Sequence, residues 1–121
     1  MTRGESILAY EPDLLFSSRL ESLVRKMGGQ VMLVTDQAKL LEELNRGMPN
    51  LLLLNLDALE DKLDLLRDIL SRESCVSVGY YSHTNTPLAE EAKRAGIEII
   101  LPRGAFMSRI QGILAKTVKG Q

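Results

Sequence analysis

One cysteine among 121 residues leaves no internal disulfide, so the fold has no covalent staple and Cys75 suits a reducing compartment, the cytoplasm. Charge of one sign is also lacking. Fifteen lysines and arginines stand against 16 acidic residues, a formal net charge of −1. That balance argues against a broad positive surface for nucleic acid, so no nucleic-acid partner is expected. No apolar run approaches the roughly 18 residues needed to cross a bilayer. The opening Met1-Thr2-Arg3-Gly4-Glu5 lacks the basic-then-apolar plan of a secretion signal, so no membrane association is expected. Low-complexity tracts, internal repeats and linkers are absent. Neither a P-loop nor a GxGxxG segment follows the first apolar run, which disfavours nucleotide binding through a glycine-rich loop. The single histidine, His83, has no second histidine with which to build a metal site, and the lone Cys75 precedes the fourth apolar run, at the other end from His83. What these absences leave is one soluble domain over residues 1–121, long enough for one core and too short for two.

What is present is an alternation. Apolar runs at residues 7–10, 31–34, 51–54, 76–81 and 97–101 are nearly continuous, as expected of strands covered on both faces. Helical stripes separate them. Phe16, Leu20, Leu23, Val24 and Met27 make one face of a helix closed by Gly28. Asp36 is placed to cap a second helix carrying Leu40, Leu41 and Leu44, which stops near Gly47 and Pro49. Leu59, Leu63, Leu66 and Leu70 mark a third. Thr86-Pro87 starts a fourth that Gly96 ends, and Phe106, Ile110, Ile113, Leu114 and Thr117 stripe a fifth. The pattern predicts a doubly wound α/β fold, (βα) five times, with a parallel sheet between two helical layers. In such sheets, ligands and reacting groups gather at the carboxyl ends of the strands.

Those ends read Tyr10-Glu11-Pro12-Asp13, Leu54-Asn55-Leu56-Asp57, Tyr81-Ser82-His83 and Leu101-Pro102-Arg103. Together they offer carboxylates, an amide, a hydroxyl and a guanidinium around one rim, although strand ends are polar for the ordinary reason that loops are solvated. Their order and spacing resemble the receiver domain of bacterial response regulators. Pro49-Asn50-Leu51-Leu52-Leu53-Leu54-Asn55 resembles the family's third strand, with Asn55 on the phosphoryl-acceptor aspartate. Ser82 falls on the hydroxyl residue closing strand four. Ala95-Gly96-Ile97-Glu98-Ile99-Ile100-Leu101-Pro102-Arg103 resembles the segment leading to an active-site lysine, with Arg103 on the lysine. Glu11 falls on the first of the family's acidic pair and Pro12 on the second, followed by Asp13. The resemblance spans essentially the whole chain and implies the flavodoxin-like strand order 2-1-3-4-5.

The departures have chemical consequences. Family members transfer a phosphoryl group to the acceptor carboxylate beside a magnesium ion that offsets the developing charge. An amide at Asn55 is not a useful nucleophile and brings no charge to a metal. Pro12 removes a further magnesium ligand. Arg103 keeps a positive charge but not the compact ammonium of lysine. His83 stands where the family has a small residue and is expected to crowd the pocket, and Ile100 replaces an aromatic. The resemblance thus implies a degenerate receiver: no catalytic residue, no cofactor, and an inactive acceptor pocket of Glu11, Pro12, Asp13, Asn55, Asp57, Ser82, His83 and Arg103.

Each residue also has a plainer role. Asp57, two places beyond Asn55, can approach the site from the same strand face, but the better reading is a cap on a helix beginning near Ala58. Glu11 and Asp13 can keep a weak magnesium site or, more simply, accept hydrogen bonds from the free amides of the following helix. His83 reads as an exposed loop residue, open to a pH-dependent contact, and Cys75 as a small apolar one, while packing explains at least one of Tyr80 and Tyr81 and leaves the other for an interface. By resemblance, helix four, strand five and helix five are a dimer or output surface, with Glu90, Lys93, Met107, Arg109 and Lys116 as exposed candidates. Only Lys119-Gly120-Gln121 follows the last helix, so a stand-alone domain is expected, acting by binding another protein or itself without phosphorylation. Three competitors remain: a phospho-acceptor using Asp57 or Asp13, a sensor grasping a small anion with Ser82 and Arg103, and a regulatory part of a longer protein.

Overall fold

Each apolar run is a strand. The computed structural model describes residues 7–118. It places β1 at Ile7–Tyr10, β2 at Val31–Val34, β3 at Leu51–Asn55, β4 at Val76–Tyr81 and β5 at Ile99–Pro102. Between and after them lie α1 (Leu14–Lys26), α2 (Gln37–Arg46), α3 (Leu63–Arg72), α4 (Thr86–Arg94) and α5 (Arg103–Val118). The two terminal stretches read above, 1–5 and 119–121, lie outside the described residues. The strands are parallel, in the order β2-β1-β3-β4-β5 that the resemblance implies.

Strand alternation sends neighbouring side chains to opposite faces and so builds two cores. Ile7, Ala9, Leu51, Leu53, Val78 and Tyr80 pack with Phe16, Leu20 and Val24 of α1 and with Phe106, Ile110 and Leu114 of α5. Leu8, Tyr10, Leu52 and Leu54 pack on the other face with α2, α3 and α4. Asp36 accepts the Lys39 N–H and caps α2 as its position suggests. Gly28 and Gly96 take φ of +86° and +96°, a conformation costly for other residues, and end α1 and α4.

Three expectations are corrected. β5 begins at Ile99, not Ile97, because the Ile97 N–H closes α4 by bonding the Ala92 carbonyl. The third helical stretch does not begin as an α-helix near Ala58. A 3₁₀ segment, Leu56–Lys62, comes first, with Leu59 off helical geometry, and α3 starts at Leu63. The cause is local: the Ala58 carbonyl accepts from the Tyr10 hydroxyl at 3.3 Å and Gln37 Nε2 at 2.9 Å, two side chains outside the helix. Ile69 is the buried core residue at this point of α3, with Leu70 half-buried against the same core. Thr117 is helical, and its side chain lies outside what is described.

Gly79 settles how the 3₁₀ segment meets the sheet. A Cβ there would lie 2.7 to 2.9 Å from three carbons of the buried Leu56 side chain, so Leu56 rests directly on the β4 backbone. Gly79→Ala is expected to lower stability by about 1–3 kcal/mol through overpacking, measured by denaturant unfolding.

Candidate functional site

The strand faces continue into the loops. Glu11 lies two residues beyond Ala9, Asn55 two beyond Leu53 and Tyr80 two beyond Val78, all on the face covered by α1 and α5. Asn55 and Tyr80 are directly paired in the β3–β4 register. Their side chains meet on one carboxylate. Asn55 Nδ2 donates to both Glu11 oxygens, at 3.0 and 3.2 Å, and the Tyr80 hydroxyl donates to Glu11 Oε1 at 2.5 Å. The Asp13 N–H donates to Glu11 Oε2 at 2.9 Å. Glu11 and Tyr80 are 0 % exposed and Asn55 is 6 % exposed. The amide orientation follows from chemistry, since its reversal would set a carbonyl against the carboxylate. Asn55 Oδ1 is left buried and without a hydrogen-bond partner among the described residues.

An aromatic stack seals this group. The Tyr80 ring lies 4.2 Å from Phe106 and 5.3 Å from Phe16, centre to centre. The Arg103 guanidinium sits over Phe16 at 4.9 Å and over Tyr80 at 5.6 Å. Such stacking is open to the planar guanidinium and gives Arg103 an aromatic seat. Burial, then the hydrogen bond and charge of Glu11, push the Tyr80 phenol far above its ordinary range, with Arg103 pulling the other way. Tyr80 therefore remains a donor throughout the neutral range.

The remaining landmarks form a separate, outer group. Asp57 Oδ2 accepts the Ser82 N–H at 2.8 Å, and the Ser82 and Thr84 hydroxyls lie 3.4 Å apart. The expected helix cap at Asp57 is thus replaced by a bond across to the end of β4, because the residue sits inside a 3₁₀ turn. His83 is exposed in the turn before α4. It is turned to solvent rather than into the buried group, whose aromatic member is Tyr80, reaching Glu11 from inside the sheet. Asp13 is the α1 cap, its Oδ1 accepting from the Leu15 and Phe16 amides. Pro12 is exposed. Ser82 and Arg103, the two arms of an anion clasp in one reading of the sequence, are engaged separately, with the loop and with the rings.

A magnesium site does not fit these donors. The ion takes oxygen ligands in near-octahedral order. Here the Glu11 carboxylate already accepts from an amide, a phenol and a backbone N–H, Asp13 serves helix amides, and Pro12 has no side-chain oxygen. Among the described residues, no group of three or more His, Cys, Asp or Glu is placed to hold a metal. Cys75 is half-buried before β4, and burial pushes its thiol up to about 11, which keeps it unreactive at neutral pH. Of the surface candidates, Glu90, Lys93, Arg109 and Lys116 are exposed, whereas Met107 is half-buried against the α1–α5 core. Arg109 and Lys116 line a cleft of about 660 Å³ beside Val76, Ile99 and Gly112, away from the buried group. No helix among the described residues is long and apolar enough to cross a membrane.

No protein-family model and no curated protein matches this sequence. Solved structures do. The receiver domain of a sensor histidine kinase from Pseudomonas aeruginosa PAO1, with magnesium in its active-site cleft, is similar at TM-score 0.78 and 20% identity, covering 98% of this chain and 99% of that one. A co-crystal of the Saccharomyces cerevisiae histidine phosphotransfer protein Ypd1 with the receiver domain of Ssk1 matches at TM-score 0.77 and 13% identity, covering 93% and 87%. A response regulator receiver domain protein from Methanospirillum hungatei JF-1 matches at 0.75 and 13%, covering 96% and 98%. The chain has the fold of a response-regulator receiver domain.

Proposed function

We propose that this chain is a signalling domain of receiver type that acts by binding another protein, or a second copy of itself, without phosphorylation at position 55. The observation that carries the reading is the state of Asn55. The residue at the acceptor position is an amide, buried and spent as a donor to Glu11. Tyr80 and the Asp13 N–H donate to the same carboxylate, so the acceptor position offers an amide in place of a carboxylate nucleophile and Glu11 is already engaged. The role is one of binding rather than catalysis, and the balanced charge gives nucleic acid no broad surface to hold. A cytoplasmic location belongs to the same reading, which the lone thiol supports.

The outer surface suits a protein partner. Leu14 and Leu15, at the start of α1 next to the site, are 69% and 80% exposed, an apolar pair without cover in the fold. Among the structural neighbours, a receiver domain is seen together with a histidine phosphotransfer protein. Intact-mass analysis after incubation with acetyl phosphate and magnesium is the test. The expected result is no gain of a phosphoryl group. Labelling would overturn the reading, and mapping of the modified residue would then show whether Asp57 or Asp13 is the acceptor.

A further inference from the structure

Leu56, seated on Gly79, carries the next residue over the end of β4, and there Asp57 Oδ2 meets the Ser82 N–H at 2.8 Å. A second bond crosses the same gap, from Asn85 Nδ2 to Glu60 Oε2 at 3.4 Å. The 3₁₀ segment is itself tied back to the sheet and α2, since Tyr10 and Gln37 both donate to the Ala58 carbonyl and Gln37 Nε2 also reaches Asp61 Oδ1 at 3.0 Å. The loop from Ser82 to Asn85 is closed by the Asn85 N–H on the Ser82 carbonyl at 2.8 Å. One end of the bridge is therefore anchored, and the other grips the loop that leads into α4.

We infer that Asp57 is a built-in anion that fixes the loop between β4 and α4, so that the surface at the start of α4 is held in one arrangement without any ligand. The inference rests on the reading that Asn55 receives no phosphoryl group, and its observation is the Asp57 carboxylate already on the Ser82 N–H. A carboxylate accepting a backbone N–H is a charge-assisted bond, shorter and stronger than a neutral one. Asp57 is a positioning residue here: it touches the loop and acts through it on the start of α4.

Amide hydrogen exchange, followed residue by residue on the full chain, tests the latch. Asp57→Ala is expected to speed exchange at Ser82 and Asn85 by about five- to tenfold, with the amides of β1 and β3 unchanged. Asp57→Asn keeps an acceptor but loses the charge, and is expected to fall between Asp57→Ala and the wild type. Unchanged exchange at Ser82 in Asp57→Ala would overturn the inference. So would an equal rise across the sheet, which would make Asp57 a contributor to global stability rather than a hold on this loop. The result is separable from the mass experiment: labelling of the wild type undoes the reading of position 55, whereas the exchange rates report the Asp57–Ser82 bond itself.

Discussion

Asn55→Asp is expected to weaken the fold by about 3–4 kcal/mol near neutral pH, although it restores the acceptor residue of the receiver pattern. The substitution replaces an amide donor by a carboxylate oxygen roughly where Nδ2 now lies, 3.0 and 3.2 Å from the two oxygens of Glu11. Both positions are buried, so water cannot screen the pair. At an effective dielectric near 20, unit charges about 4 Å apart repel by about 4 kcal/mol. Two carboxylates in one buried site answer by holding a proton, which raises the upper of their two coupled pKa values. The sign follows from linkage. A folded-state carboxyl raised above its unfolded value costs nothing at pH values below about 4. The cost grows as pH rises toward the folded value and is full beyond it. Thermal unfolding of wild type and variant is therefore expected to differ little near pH 4 and by about 10 °C at pH 7. Added magnesium is expected to leave the gap in place, because Pro12 offers no oxygen and Tyr80 already occupies Glu11. A variant as stable as wild type at pH 7, or one rescued by magnesium, would contradict this account of the pocket.

The same site shows which parts of the molecule can be read from its sequence. Strands buried on both faces must be apolar throughout, so their runs announce themselves; β1, β2 and β4 lie where the runs lie. Glu11 and Asn55 were legible because each follows such a run as its first polar residue. Tyr80 was not, since a tyrosine inside an apolar strand has packing as its ordinary explanation, and here it does pack. Its hydroxyl was within reach of inference only through parity. Ala9 and Glu11, Leu53 and Asn55, and Val78 and Tyr80 are matched pairs on one face, and three such pairs on adjacent strands converge. The bond of Asp57 to Ser82 had no signal of that kind. It spans 25 residues and depends on the height at which Leu56 settles on Gly79, a fact of packing rather than of pattern.

Tyr80→Ala is expected to be the most damaging single change in the site, at about 3–5 kcal/mol, because it opens a cavity among Phe16, Phe106 and Arg103. It also removes one donor from a fully buried carboxylate. Tyr80→Phe separates the two effects. The ring and its stack on Phe106 stay, while Glu11 Oε1 loses the phenol, a loss of about 1–3 kcal/mol for a buried charged acceptor. The phenol also sets a pH signature. Burial and Glu11 hold its pKa far above the ordinary value, so the folded protein keeps a proton that the unfolded chain releases above about pH 10. Its contribution is thus complete below about pH 10 and declines as pH rises further. Burial likewise raises Tyr10, whose hydroxyl donates to Ala58, so wild type is expected to lose stability above pH 10 with two tyrosines contributing. Tyr80→Phe is expected to be less stable at pH 7 yet to decline less steeply above pH 10, measured by urea unfolding across the alkaline range. An unchanged alkaline slope would mean that the phenol ionises freely and that Glu11 is not held by it. A variant matching wild type at pH 7 would show that Asn55 and the Asp13 N–H suffice to hold the Glu11 carboxylate.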